Sequence, residues 1–149
     1  MTGGVELHYY SIMKTDLNDM TFLILVRLDS IQRLENILVV TETLLMSFET
    51  NIYVLEADAY NNGVLKKLLN RKIHYYFVED KDTVLYKTKY YNQMSKTIET
   101  PFMAIWDTDV ATDKTSIWDA INHLRAGADV AFPYNGFFMR HRKLFVICT

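Results

Sequence analysis

Two carboxylates one residue apart, Asp107 and Asp109, directly follow the apolar run from Phe102 to Trp106. Side chains at that spacing, leaving a buried strand, can share one hard divalent cation through oxygen ligands. Neither cysteine nor histidine lies near the pair, so the donor set suits magnesium or manganese rather than zinc. A cation held there can bridge two phosphates and offset the negative charge that builds on a departing nucleoside diphosphate. The competing reading of Asp107-Thr108-Asp109 is a polar strand end whose aspartates cap the next turn.

Other residues could join such a site. Lys87 and Lys89 fall in the first turns of an expected helix, where cations are slightly unfavourable for the macrodipole. A bound diphosphate nearby accounts for their placement, and a solvated lysine face is the alternative. Asn92 follows Lys89 by one turn, so both can point toward one pocket. Glu56 and Asp58 can accept hydrogen bonds from a base or a ribose, or simply be solvated at a strand end. Asn51 reads as a turn residue. His8, His74, His123 and His141 show no metal-binding spacing, and His74, inside an apolar strand, reads as a packed core residue. Arg140, His141, Arg142 and Lys143 form a basic patch suited to anionic lipid or phosphate, or to a solvated chain end.

The elements that must hold these side chains follow from an alternating pattern. Thr21 to Val26 is a nearly continuous apolar run, as expected of a strand buried on both faces. Asp29 with Gln32 predicts a capping box, opening a helix with Ile31, Leu34, Leu38, Leu45 and Phe48 on its apolar face. Ile52 to Leu55 is the second strand; Asn61-Asn62-Gly63 then breaks the chain before a short helix over Val64 to Asn70, with Leu65, Leu68 and Leu69 inward. Ile73 to Val78 is the third strand. A helix over Val84 to Ile98 carries Tyr90, Met94 and Ile98 on one stripe. Phe102 to Trp106 is the fourth strand, a helix lined by Ile117, Ile121 and Leu124 follows, and Asp129 to Phe132 is a fifth strand before a tight turn at Asn135-Gly136.

Four strand-helix alternations predict an α/β fold, a Rossmann-like and mostly parallel sheet flanked by helices. Such sheets bind ligands beyond the carboxyl ends of their strands. Here those ends carry Arg27 and Asp29, Glu56 and Asp58, Glu79 and Asp80, then Asp107 and Asp109. The 149 residues suit a single domain over 1–149, with an N-terminal extension over 1–19 and an atypical end over 138–149. Half the residues are hydrophobic and two are proline, which fits a globular chain. The formal charge of -2 gives no electrostatic case for nucleic acid. Cys148 is the only cysteine, so no intrachain disulfide can form. The run Phe22 to Val26 stops at Arg27, far short of the roughly 20 apolar residues of a transmembrane segment. The N-terminus lacks the pattern of a secretory signal, so a cytoplasmic location is expected, with a position peripheral to a membrane as a variant.

Four segments carry a family resemblance: Leu25-Val26-Arg27-Leu28-Asp29-Ser30, Val54-Leu55-Glu56-Ala57-Asp58, Tyr86-Lys87-Thr88-Lys89-Tyr90-Tyr91-Asn92 and Ile105-Trp106-Asp107-Thr108-Asp109-Val110. In this order, over roughly Met20 to Phe137, the chain resembles the N-terminal, nucleotide-sugar-binding half of bacterial family 2 glycosyltransferases. The resemblance implies a GT-A fold, a nucleoside-diphosphate sugar as donor, and Mn2+ or Mg2+ as cofactor. It implies that Asp109 ligates the metal and that Asp107 reaches the ribose or the metal's water shell. It further implies that Glu56 reads the base, and that Arg27 and Asp29 belong to the loop that wraps the nucleoside. Lys87, Lys89 and Asn92 correspond loosely to the family's basic and amide positions. Family members continue past this point into a half that binds the acceptor and supplies a catalytic base. The stretch from Met139 to Thr149 matches nothing expected there, so the fold is expected to be truncated.

The expected activity is metal-assisted transfer of a sugar to a hydroxyl on a saccharide or lipid-linked acceptor, with inversion implied by the resemblance. A non-catalytic nucleotide-sugar-binding module is the alternative, and on either reading little or no transfer by this chain is expected, even where it binds a donor. A phosphohydrolase with an aspartate nucleophile places its D-x-D after the first strand, and here the triplet follows the fourth. Apolar residues Leu144 to Ile147 at a shortened sheet edge suggest homo-oligomers.

Overall fold

In a computed structural model, the structure describes residues 13–134. Among the described residues eight elements alternate strictly. These are β1 (Thr15–Val26), α1 (Ile31–Ser47), β2 (Phe48–Asp58), α2 (Val64–Leu68), β3 (His74–Glu79), α3 (Lys87–Ser95), β4 (Phe102–Trp106) and α4 (Lys114–Arg125). The four strands form one all-parallel sheet in the order β3-β2-β1-β4. The α/β expectation with a parallel, Rossmann-like sheet therefore holds at that level.

Alternation of side chains across β1 feeds two cores. Phe22, Ile24 and Val26 join Ile52, Val54 and Trp106 under α1, α2 and α4, through Ile37, Val40, Leu44, Leu65, Ile117 and Ile121. Leu23 and Leu25 join Leu55 and Ala57 on the opposite face, where α3 covers them with Tyr90, Tyr91 and Met94. The result is three layers with β1 buried on both sides, which is why its run reads as continuously apolar.

Several expectations change. β1 begins at Thr15, not Thr21, so residues 15–19 belong to the sheet and not to an extension. Asp16, Asn18 and Asp19 hide this part of the strand from a hydropathy reading. It pairs with residues 48–50, and the register then shifts between Leu17 and Thr21. Asn51 is a strand residue whose amide donates to the Asn18 and Met20 carbonyls at that irregularity. Phe48 opens β2 instead of ending α1.

The cap of α1 is Ser30, whose hydroxyl accepts from the Arg33 amide at 3.2 Å, and not Asp29 with Gln32. The buried stripe of α1 is Ile37, Val40, Thr41, Leu44 and Leu45; Ile31 faces solvent. α2 ends at Leu68, which is exposed, while Leu65 and Leu69 are buried. Gly63 precedes α2 at φ 73°, a conformation that favours glycine. His74 is exposed and stacks on Tyr53 at 4.6 Å, because β3 is an edge strand with an uncovered face.

α3 is shorter than Val84 to Ile98, although its stripe of Tyr90 and Met94 is buried as expected. β4 and the inner face of α4 match the reading. Asp129 to Phe132 forms no strand; Val130 and Phe132 are exposed, and apolar content without a pairing partner does not make a strand. Asn135-Gly136, His8, His141, the basic patch and Leu144 to Cys148 lie outside the described residues. Among the described residues no helix is long and apolar enough to cross a membrane.

Candidate functional site at the switch point

The chain runs from β1 to β2 to β3 in one direction, then crosses back to set β4 on the other side of β1. The loops leaving β1 and β4 both lead to helices on one face, α1 and α4, and the carboxyl ends of these adjacent strands, where the strand order reverses, are where parallel sheets bind ligands. Asp107 follows β4 at this point, and Arg27 follows β1.

Trp106 anchors the end of β4. Its ring meets Phe22 edge-on at 5.4 Å, and its indole N–H donates to the Val110 carbonyl at 3.1 Å. The Val110 amide in turn donates to the Asp107 carbonyl at 3.4 Å, closing a turn. Within this turn Thr108 is buried, while Asp107 and Asp109 are exposed. Capping of α4 falls to Asp113, whose carboxylate accepts from the amide and the hydroxyl of Ser116 at 2.8 and 2.7 Å. The carboxylates of Asp107 and Asp109 thus have no part in that cap. The Asp107 carboxylate pairs with the Lys87 ammonium at 3.1 Å, and Asp109 makes no hydrogen bond or ion pair among the described residues.

A second cluster fixes α3 relative to the strand ends. The Tyr90 hydroxyl donates to Asp80 Oδ2 at 2.6 Å, and the Asp82 amide donates to Asp80 Oδ1 at 2.9 Å. Arg27 donates through Nε to the Ala57 carbonyl at 2.9 Å and through Nη1 to the Asp82 carbonyl at 2.8 Å. Its Nη2 lies 3.0 Å from Asp80 Oδ2, at an angle that makes an ion pair without a hydrogen bond. Arg27 therefore ties the ends of β1 and β2 to the loop after β3. The Tyr90 hydrogen bond, followed by the Asp82 amide, holds the Asp80 carboxyl below the usual carboxylate range. Burial, followed by the Asp80 bond, pushes Tyr90 up to about 12. Burial also pushes Tyr91 up to about 12, with the Asp107 charge as the next cause.

The remaining candidates scatter. Asp29 is exposed and bonds to Arg33 at 2.7 Å, which lowers its pKa. Glu56 is 2 % exposed and accepts the Tyr75 hydroxyl at 2.5 Å. It pairs in register with Val26, on the sheet face that α1 and α2 cover, opposite Tyr90. Asp58 accepts from the next amide, that of Ala59, at 2.7 Å. Lys89 sits 5.1 Å over the ring of Tyr90, and Asn92 is exposed one turn further along α3.

The structure thus joins Lys87 to Asp107 and Arg27 to Asp80. It turns Glu56 into the interior and leaves Asp29 in a surface pair. Tyr90 and Asp80 are the residues the sequence reading missed as a bonded pair. Their signals, a core aromatic and a strand-end acid, were visible only separately. A hollow of about 410 Å3 lies elsewhere, against α4, lined among others by Ser116, Asp119, His123, Phe132 and Tyr134.

Among the described residues no group of three or more histidine, cysteine or acidic side chains gathers as a ready metal cage. The Asp107 and Asp109 carboxylates are oxygen donors of the kind a hard cation takes, and with Thr108 turned in both reach solvent. Compared with protein-family models, with curated proteins and with solved structures, the chain matches none.

Proposed function

We propose that the surface beyond the carboxyl ends of β1 and β4 binds a nucleoside-diphosphate sugar, and that the chain is the donor-binding part of a GT-A-type glycosyltransferase. The observation that carries this reading is the Asp107-Thr108-Asp109 turn beside β1, with Thr108 inward, both carboxylates outward, and the capping role filled by Asp113. Carboxylates at the carboxyl ends of adjacent parallel strands, where the strand order reverses, suit a metal-diphosphate.

In this reading Asp109 and Asp107 hold Mn2+ or Mg2+ with the donor diphosphate. When bound, the cation supplies Lewis-acid stabilisation of the departing nucleoside diphosphate. Lys87, already 3.1 Å from Asp107, stands where an ammonium can meet the same phosphates. Lys89 and Asn92 continue that flank of α3. Arg27 acts on the site by fixing the loop around Asp80 and Asp82, rather than by contact with the nucleoside. In-line displacement by an acceptor hydroxyl, with inversion, would release the nucleoside diphosphate and pass the hydroxyl proton to a base that none of these residues supplies.

The test is thermal stability across a panel of nucleoside diphosphates, with manganese and with a chelator. A ligand at about 100 times its Kd adds about 2.7 kcal/mol of stability. One nucleoside diphosphate should raise the midpoint, and more so with manganese. A flat response across the panel at millimolar ligand defeats the proposal.

A further inference from the structure

The first turn of α3 contains Lys87 and Lys89 and no acidic residue, and its N-cap Tyr86 makes no side-chain cap bond. Positive charge at a helix N-terminus opposes the macrodipole, so nothing local to α3 favours Lys87 there. The compensating charge comes from twenty residues away, as the Asp107 carboxylate at 3.1 Å. The placement is not a loose accident of the surface. Tyr90, one turn along, is 2 % exposed and bonded to Asp80, and Asp80 is paired with Arg27, so the start of α3 is anchored to three strand ends. Asp109, two residues from Asp107, has no such partner among the described residues.

From this geometry we infer that Lys87 is the resting counter-ion of Asp107, and that it exchanges Asp107 for a donor phosphate when a divalent cation takes the carboxylate pair. The inference rests on the proposed diphosphate site and adds an order of events to it. With no ligand, Lys87 neutralises a carboxylate that a cation needs, and so competes with the cation. With ligand, the same ammonium becomes available to phosphate oxygens, which a lysine binds as a point charge. Cation and diphosphate then bind with positive coupling, because the first arrival removes the contact that the second must replace. Both side chains are more than half exposed, at 59 % and 54 %, so the competition is modest. An exposed ion pair of this kind corresponds to about a two- to fivefold change in affinity.

The deciding experiment measures Mn2+ binding to the full chain from the electron paramagnetic resonance signal of the free ion, with no nucleotide present. It compares the parent, Lys87→Gln and Lys72→Gln, the last removing one positive charge elsewhere on the surface. Circular dichroism checks that each variant is folded. Lys87→Gln should bind Mn2+ about two- to fivefold more tightly, with Lys72→Gln close to the parent. Inorganic pyrophosphate, titrated with and without Mn2+, should then gain less from the metal in Lys87→Gln than in the parent. Equal or weaker Mn2+ binding by folded Lys87→Gln overturns the exchange and leaves the proposed site standing. Equal tightening in both variants overturns it too, as a net-charge effect. No Mn2+ binding by any of the three at millimolar concentration overturns the exchange together with the metal-diphosphate reading.

Discussion

Changing Tyr75 to phenylalanine separates two roles for Glu56. The Glu56 side chain is 2 % exposed, faces the apolar layer under α1 and α2, and accepts the Tyr75 hydroxyl at 2.5 Å. Tyr75→Phe keeps the ring and removes that donor. Hydrogen bonds to charged groups contribute about 1.5–3 kcal/mol, and a buried acceptor left alone keeps its full desolvation cost, so a loss of about 2 kcal/mol is expected. In urea this moves the unfolding midpoint by roughly 1 M with an unchanged slope. Glu56→Gln retains an acceptor without charge, and in that background Tyr75→Phe should cost only about 1 kcal/mol, the value of a neutral bond. A double-mutant cycle by urea denaturation measures the difference as coupling of roughly 1 kcal/mol. Nucleotide affinity of the folded variants should stay near the parent's. A Tyr75→Phe protein as stable as the parent, or a Glu56→Gln protein of parental stability with lost nucleotide binding, refutes the structural role and restores Glu56 as a base reader.

Asp109→Asn should weaken manganese-dependent nucleotide binding about tenfold or more, with the melting temperature of the free protein unchanged, since the side chain is exposed and has no partner among the described residues. Calorimetry that finds parental affinity excludes Asp109 as a ligand. Ser30→Ala should cost about 1 kcal/mol through the α1 cap, whereas Asp29→Ala should cost under about 0.5 kcal/mol as one end of an exposed pair; denaturation curves rank the two. Stability should also fall at both extremes of pH. Tyr75, Tyr90 and Tyr91 hold their protons above the ordinary value of 10.0, so their contribution is complete below pH 10 and is lost as the pH climbs toward about 12 and beyond. Asp19, Asp29, Asp80 and Asp113 titrate below 3.8, so theirs is complete above that value and is lost as the pH falls further. A melting temperature flat from pH 9 to pH 12 contradicts the tyrosine assignments.

The alternation of strands and helices was legible because β1 is covered on both faces and shows an unbroken apolar run, and because Asp107 stands directly after such a strand. Strand-end positions of the acids could be read for the same reason. What could not be read depends on partners distant in sequence. The polar first half of β1 is a strand only because residues 48–50 pair with it, and Asp19 is held there by Arg125 at 2.7 Å. Asp129 to Phe132 has the composition of a strand but no partner among the described residues. His74 and Leu68 read as interior because hydropathy does not tell an edge strand or a short helix from a covered one. Glu56 and Arg27 looked like solvent-facing strand-end charges, and only the third dimension shows Tyr75 against one and Asp80 against the other.

The order of strands also bears on when the ends of β1 and β4 come together during folding. Leu23 pairs with Tyr53, thirty residues on, and with Ile105, eighty-two residues on. Closing the longer loop costs more chain entropy and follows the docking of nearer segments. The β1-α1-β2 pairing needs no contribution from β4, and Asp107 meets Lys87 only once β4 has docked. β4 is also five residues long and, among the described residues, pairs with β1 alone, so its amides should exchange with solvent sooner than those of β1. Opening of that one edge dismantles the carboxylate turn while the rest of the sheet stays folded. A ligand bridging β4 and α3 would then appear in hydrogen exchange as slower opening along the whole of residues 102–106, and not only at the residues that meet the phosphate.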